Sequence, residues 1–150
     1  MYFALILKNA HGLLPNPAVM SSYTKILLVD DDKDDQLLFI DALSEVDPHV
    51  DCHVANNGLE AIDHLLKVPP PPLLIFLDLN MPYMSGFECL SILKNDNSYQ
   101  DIPIVVFTTS NNADDCKRSL EMGAKMFLTK APDFSRLKSD IQRVLDAHLR

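Results

Sequence analysis

From Thr24 onward, short apolar runs alternate with stretches in which apolar residues recur at helical spacing. KILLV (25–29), HVDCHV (49–54), LLIFL (73–77), IPIVVF (102–107) and KMFLT (125–129) have the length and content of strands. Between and after them, five amphipathic patterns predict five helices. The first carries Leu37, Leu38, Ile40, Ala42 and Leu43, and the second Leu59, Ala61, Ile62, Leu65 and Leu66. Phe87, Leu90, Ile92 and Leu93 mark the third, and Ala113, Cys116 and Leu120 a weaker fourth. Phe134, Leu137, Ile141, Val144, Leu145 and Leu149 mark the fifth. Strict strand–helix alternation, with strands apolar on both faces, predicts an α/β fold: a parallel sheet covered by helices on each side. The proline run 69–72 predicts a stiff polyproline II path into the third strand.

Residues 1–22, with an apolar patch, one basic residue (Lys8) behind it, and Pro15 and Pro17, read as a poorly ordered extension and not as a signal peptide. The domain is expected over 23–150, with the last helix reaching Arg150 and no effector module after it. The 150 residues suit one domain, and 47% hydrophobic and 23% charged residues suit a soluble cytoplasmic protein without a membrane span. A net charge of −8 argues against nucleic acid as a partner, since phosphate contacts come largely from clustered Lys and Arg. Cys52, Cys89 and Cys116 have no zinc or redox spacing and read as reduced thiols; the five histidines form no spaced cluster.

In a parallel α/β sheet, ligand-binding groups collect where strand carboxyl ends open into loops. Asp30, Asp31 and Asp32 follow the first run, Asp78 the third, Thr108, Thr109 and Ser110 the fourth, and Lys130 the fifth. Asp32, Asp34 and Asp35 read as a capped helix start, because acids are favoured at N-caps and in first turns. Asp30 and Asp31 arrive before the helix begins. Beside Asp78 they would repel one another unless a cation or a raised pKa relieves them. Oxygen-only ligands favour a hard ion, and Mg²⁺ is the natural one. Asp78 could then act as a nucleophile toward phosphorus, with Lys130 and Thr108 facing the transferred group. Taken singly, Lys130 reads as a surface lysine and Thr108 as a turn residue. Their joint placement at the ends of different strands of one sheet decides otherwise.

With these residues in place, the chain from about 25 to 149 resembles the receiver domains of two-component response regulators. LDLNMP followed by Gly86 is similar to the family's D-x-x-M-P-x-x-x-G, and VVFTTS to its fourth-strand ending. The resemblance implies a flavodoxin-like doubly wound sheet of order 2-1-3-4-5. It implies that Asp78 is the phosphoacceptor, with Asp31 a direct Mg²⁺ ligand, Asp30 a ligand through water and Asn80 a ligand through its backbone carbonyl. Thr108 and Lys130 would hold phosphoryl oxygens, Phe127 would be the switch aromatic, and Asn80 and Ser110 would tune dephosphorylation. Phe127 reads equally well as core packing. In one departure, Ala131 stands where the family has a cis proline, and Pro132 comes one step late, so Lys130–Ala131 is either cis or the loop takes another route.

The resemblance further implies a stand-alone regulator that is no enzyme beyond its own phosphorylation and dephosphorylation. A histidine kinase or phosphotransfer protein would donate, and a downstream protein would read the fourth helix, fifth strand and fifth helix, a face also open to a homodimer. The TTS sequence resembles that of small regulators paired with phytochrome-type kinases. The alternative is a docking module that keeps the fold without phosphorylation. A phosphatase-like enzyme would need an acid or base where Asn80 stands.

Overall fold

The computed structural model describes residues 24–150; the extension expected over 1–22 lies outside them. Five strands, β1 (Thr24–Val29), β2 (Val50–Ala55), β3 (Leu74–Leu77), β4 (Ile104–Thr108) and β5 (Met126–Thr129), form one parallel sheet in the order β2-β1-β3-β4-β5. The helices are α1 (Lys33–Val46), α2 (Gly58–Lys67), α3 (Gly86–Lys94), α4 (Ala113–Glu121) and α5 (Phe134–His148). This is the doubly wound architecture expected from the alternation. Strand ends differ from expectation by one or two residues, as with β2, which starts at Val50, and β4, which runs from Ile104 into Thr108.

Alternate residues of the strands feed two cores. Ile26 and Leu28 of β1 face α1 and α5 with Phe39, Phe76, Phe107, Ile141 and Val144. Leu27 and Val29 face α2 and α3 with Ala61, Leu65, Ile75, Leu77, Leu90 and Leu93. The central strands β1, β3 and β4 are buried on both faces, whereas edge strand β2 is only half buried. No helix among the described residues is long and apolar enough to cross a membrane.

The helical stripes are shifted from those expected. On α1 the buried positions are Gln36, Phe39, Ala42 and Leu43, and Leu37, Leu38 and Ile40 face outward. On α2, Leu59 and Leu66 are exposed while Gly58, Ala61 and Leu65 are buried; on α3 Ile92 is exposed and Cys89 buried; on α4 Leu120 is exposed and Ser119 buried. Where apolar residues outnumber the positions of one face, helical period alone does not choose among them. Contact with the sheet does. The Pro69–Pro70 bond is cis, so the proline run is not the continuous polyproline II segment expected.

Each helix start has a local side-chain cap. Asp32 accepts from the backbone N–H groups of Asp34 and Asp35, Asn57 from Glu60, Asn112 from Asp114 and Asp133 from Ser135; Ser85 and Glu88 form a reciprocal capping box on α3. These caps fix where each loop at the carboxyl rim ends.

Two histidines that are distant in sequence meet beside edge strand β2. His53 of β2 and His64 of α2 lie edge to face, with ring centroids 4.9 Å apart. His64 Nε2 is buried without a hydrogen-bond partner among the described residues. Burial, then the neighbouring His53 and Lys25, lower its pKa from 6.5. Its folded pKa lies below the unfolded value, so the unfolded chain binds the extra proton first and stability falls as pH drops through 6.5. Urea midpoints measured from pH 8 to about pH 5 should fall, and the His64→Gln variant should show a shallower fall.

Candidate phosphoacceptor and metal site

The carboxyl ends of β1, β3, β4 and β5 bring the expected residues to one rim. Asp30 follows β1 and is 1% exposed; Asp78 follows β3 and is 6% exposed. Backbone bonds carry both out of the sheet in register: Asp30 N–H donates to the Ala55 carbonyl at 3.0 Å, and Asp78 N–H to the Val29 carbonyl at 2.9 Å. Asp31, next along the chain, is exposed. One carboxylate oxygen from each of Asp30, Asp31 and Asp78 lies within 4.8 Å of the others.

Lys130 enters this cluster from the end of β5. Its Nζ lies 2.7 Å from Asp30 Oδ2, 2.8 Å from Asp35 Oδ2 and 3.4 Å from Asp78 Oδ2. Its backbone N–H donates to the Thr108 carbonyl at 2.7 Å, which ties the ends of β4 and β5 together. Pro69–Pro70 is the one cis bond among the described residues, so Lys130–Ala131 is trans and the loop takes its own route. That route still delivers the ammonium to the acids.

Burial raises the Asp30 pKa, and the bond from Lys130 counters only part of that rise. For Lys130 itself burial pulls downward, but the hydrogen bonds to Asp30 and Asp35 and the charge of Asp78 outweigh it, so the ammonium is held charged. Three carboxylates, Asp30, Asp35 and Asp78, share this one cation, and Asp31 adds a fourth negative charge beside Asp30 and Asp78. The remaining negative charge and the all-oxygen donor set fit a hard divalent cation held by Asp30, Asp31 and Asp78.

Thr108 is fully buried at the end of β4, and its Oγ1 accepts from the Ser110 N–H at 3.4 Å. Ser110 Oγ donates to Asp115 Oδ2 at 2.6 Å, and Thr129 Oγ1 donates to the Ser110 carbonyl, which pins the β4–α4 loop to β5. Asn80 is exposed two residues beyond Asp78, and its N–H approaches Asp78 Oδ1 at 3.4 Å. Phe127 pairs with Val106 across the sheet and packs, partly buried, against the second core.

The β3–α3 loop between Asp78 and Gly86 is held at both ends. A Cβ on Gly86 would lie 2.2 Å from the Asp78 carbonyl oxygen and 2.6 Å from Leu79 Cα, so the spacing from Asp78 to this glycine is a requirement of close backbone approach. Met84 packs onto the backbone of Gly58 at the start of α2, where a Cβ would meet its Sδ at 2.7 Å. Between them Tyr83 takes a left-handed conformation with φ 66°.

Two contributors escaped the sequence reading. Asp35 occupies the first turn of α1 as expected, but its carboxylate also reaches Lys130, 95 residues away in sequence. Gln36 is buried and donates from Nε2 to the Asp30 carbonyl at 2.5 Å and to Asn56 Oδ1 at 3.0 Å. Lys33 Nζ also donates to Asn56 Oδ1, and Glu60 accepts from Asn56. The signal for Gln36 was its position: a polar residue on the stripe shared with Phe39 and Leu43.

The family described as "Response regulator receiver domain" matches residues 26–142. The chain belongs to this receiver family. The response regulator Rcp1 of Synechocystis sp. is 35% identical over 124 residues, covering 79% of this chain and 84% of that protein. Among solved structures, the phosphorylated cyanobacterial phytochrome response regulator RcpA superposes with a TM-score of 0.78 at 32% identity, covering 85% of this receiver and 94% of that chain. The Mn²⁺-bound form of Rcp1 superposes with a TM-score of 0.73 at 34% identity, covering 82% and 92%.

Two outcomes are expected of this receiver's rim. Gly86→Ala forces the Asp78 backbone aside and should lower unfolding free energy by about 1–3 kcal/mol, the usual cost of overpacking, read from urea midpoints. Millimolar Mg²⁺ should raise the thermal midpoint above that in EDTA, because binding the folded state alone stabilises it, and Asp31→Asn should reduce the gain.

Proposed function

We propose that this receiver accepts a phosphoryl group on Asp78 from a histidine kinase or a histidine phosphotransfer protein. The observation that carries this reading is a nearly buried carboxylate at a strand end, with Lys130 Nζ 3.4 Å away and Asp30 and Asp31 within 4.8 Å. An Asp78 carboxylate oxygen attacks phosphorus, a P–O bond forms and the P–N bond to the donor imidazole breaks. The electron pair returns to the imidazole nitrogen. Nothing else in the receiver is consumed.

Asp31, Asp78, Asp30 and the Asn80 backbone carbonyl would hold Mg²⁺, which supplies positive charge against the phosphoryl oxygens. Lys130 carries a fixed positive charge to the same group, and the Thr108 hydroxyl lies one strand away to receive a phosphoryl oxygen. The new group brings up to about two negative charges. Drawing Thr108 inward would shift the β4–α4 loop, which is tied to β5 through Ser110 and Thr129. Phe127, on β5 and only partly buried, is the aromatic positioned to follow. The face formed by α4, β5 and α5 then signals to a downstream protein, or to a second copy, or the phosphoryl group passes onward. Asn80, two residues beyond Asp78, and Ser110, two beyond Thr108, would tune its hydrolysis.

In this reading the protein is a stand-alone cytoplasmic regulator and catalyses no reaction beyond its own phosphorylation and dephosphorylation. RcpA, in its phosphorylated form, and Mn²⁺-bound Rcp1 support it as relatives of like sequence and fold. Incubation with acetyl phosphate and Mg²⁺ should add one phosphoryl group by intact mass, with acetate as the leaving group. Asp78→Asn should abolish the gain, and so should EDTA. A wild type that gains nothing would instead act as a docking module with a receiver fold.

A further inference from the structure

We propose that Asp35 is a tether that shares the Lys130 ammonium before phosphorylation and must release it when the phosphoryl group arrives, so that Asp35 sets how fast Asp78 is loaded. This rests on the receiver reading above. An ammonium has three N–H donors. Lys130 commits two of them to short bonds, at 2.7 Å to Asp30 and 2.8 Å to Asp35, and the contact with Asp78 is long, at 3.4 Å. The lysine therefore rests closer to two acids that flank the acceptor than to the acceptor itself.

A phosphoryl group on Asp78 adds three strong acceptor oxygens, and one of the short bonds has to give way to them. The surroundings choose which. The Asp30 side chain is 1% exposed, its Oδ1 accepts from the Asp32 N–H at 3.0 Å, and its carbonyl is held by Gln36. Losing the lysine would strip this buried carboxylate of its 2.7 Å ionic partner, which is costly. The Asp35 side chain is 32% exposed, so water can replace the ammonium at little cost. Asp35 is also fixed in place, because its backbone N–H donates to the cap Asp32 at 3.0 Å. It is a positioning residue that acts through Lys130.

The test measures the rate of loading by acetyl phosphate and Mg²⁺, followed by intact mass. Asp35→Asn should load on the order of threefold faster, the size of a part-exposed ion pair. Asp35→Glu should restore the wild-type rate. Asp34→Asn, which removes the same charge one residue away on the exposed side of α1, should leave the rate unchanged. In a Lys130→Met background, Asp35→Asn should change nothing further. The inference is overturned if Asp35→Asn is unchanged or slower, if Asp34→Asn matches it, or if the acceleration persists without Lys130. A wild type that takes up no phosphoryl group overturns the receiver reading itself, and this inference with it.

Discussion

Lys130 Nζ lies within hydrogen-bonding distance of Asp30, Asp35 and Asp78, and the order of the whole carboxyl rim depends on that one ammonium. Asp30 and Asp78 stand almost fully buried at the ends of the central strands β1 and β3, so neither can be solvated as a free carboxylate would be. Removing the partner of a buried charge costs about 3–5 kcal/mol. The lysine offsets part of that cost and leaves net negative charge behind, which is the condition for recruiting a divalent ion. The same arrangement that keeps the acids folded together also keeps them short of positive charge.

The fold supplies this geometry through the sheet's parallel order. Because β1 and β3 are adjacent, the backbone bond from Asp78 to Val29 brings Asp78 beside the acidic pair, and the bond from Lys130 to Thr108 does the same for the lysine and the hydroxyl. Gly86 lets the start of α3 touch the Asp78 backbone, and the Ser85–Glu88 capping box closes that loop. Gln36, Asn56 and Glu60 brace the opposite wall behind Asp30. None of these supports would touch a phosphoryl group. They restrict where the groups that would touch it can go.

Much of this was legible in the chain alone, for physical reasons. Parallel central strands are apolar on both faces, so LLIFL, IPIVVF and KILLV announce themselves, and an acid at the end of such a run demands an explanation. The acidic pair, Asp78, Thr108 and Lys130 follow directly from where strands end. The helices were less legible because α1 and α2 carry more apolar residues than one face can use; Leu37, Leu59 and Leu66 lie outside, and Gln36 lies inside. Asp35 was hidden for a different reason. Its role as a first-turn acid is sufficient by itself, and its contact with Lys130, 95 positions along the chain, exists only once the sheet has folded. Lys130–Ala131 in place of lysine–proline left the lysine's position open, and the bond to Thr108 fixes it without a cis peptide at that point.

The central claim is that the shared cation prepares Asp78, and no other acid of the cluster, to attack phosphorus. Borohydride reduction of the loaded protein converts an aspartyl phosphate to homoserine, and peptide mapping then locates it. The account predicts conversion at Asp78 alone, with Asp30, Asp31, Asp32 and Asp35 intact. Conversion at any of those four, or at none of the five, would contradict it.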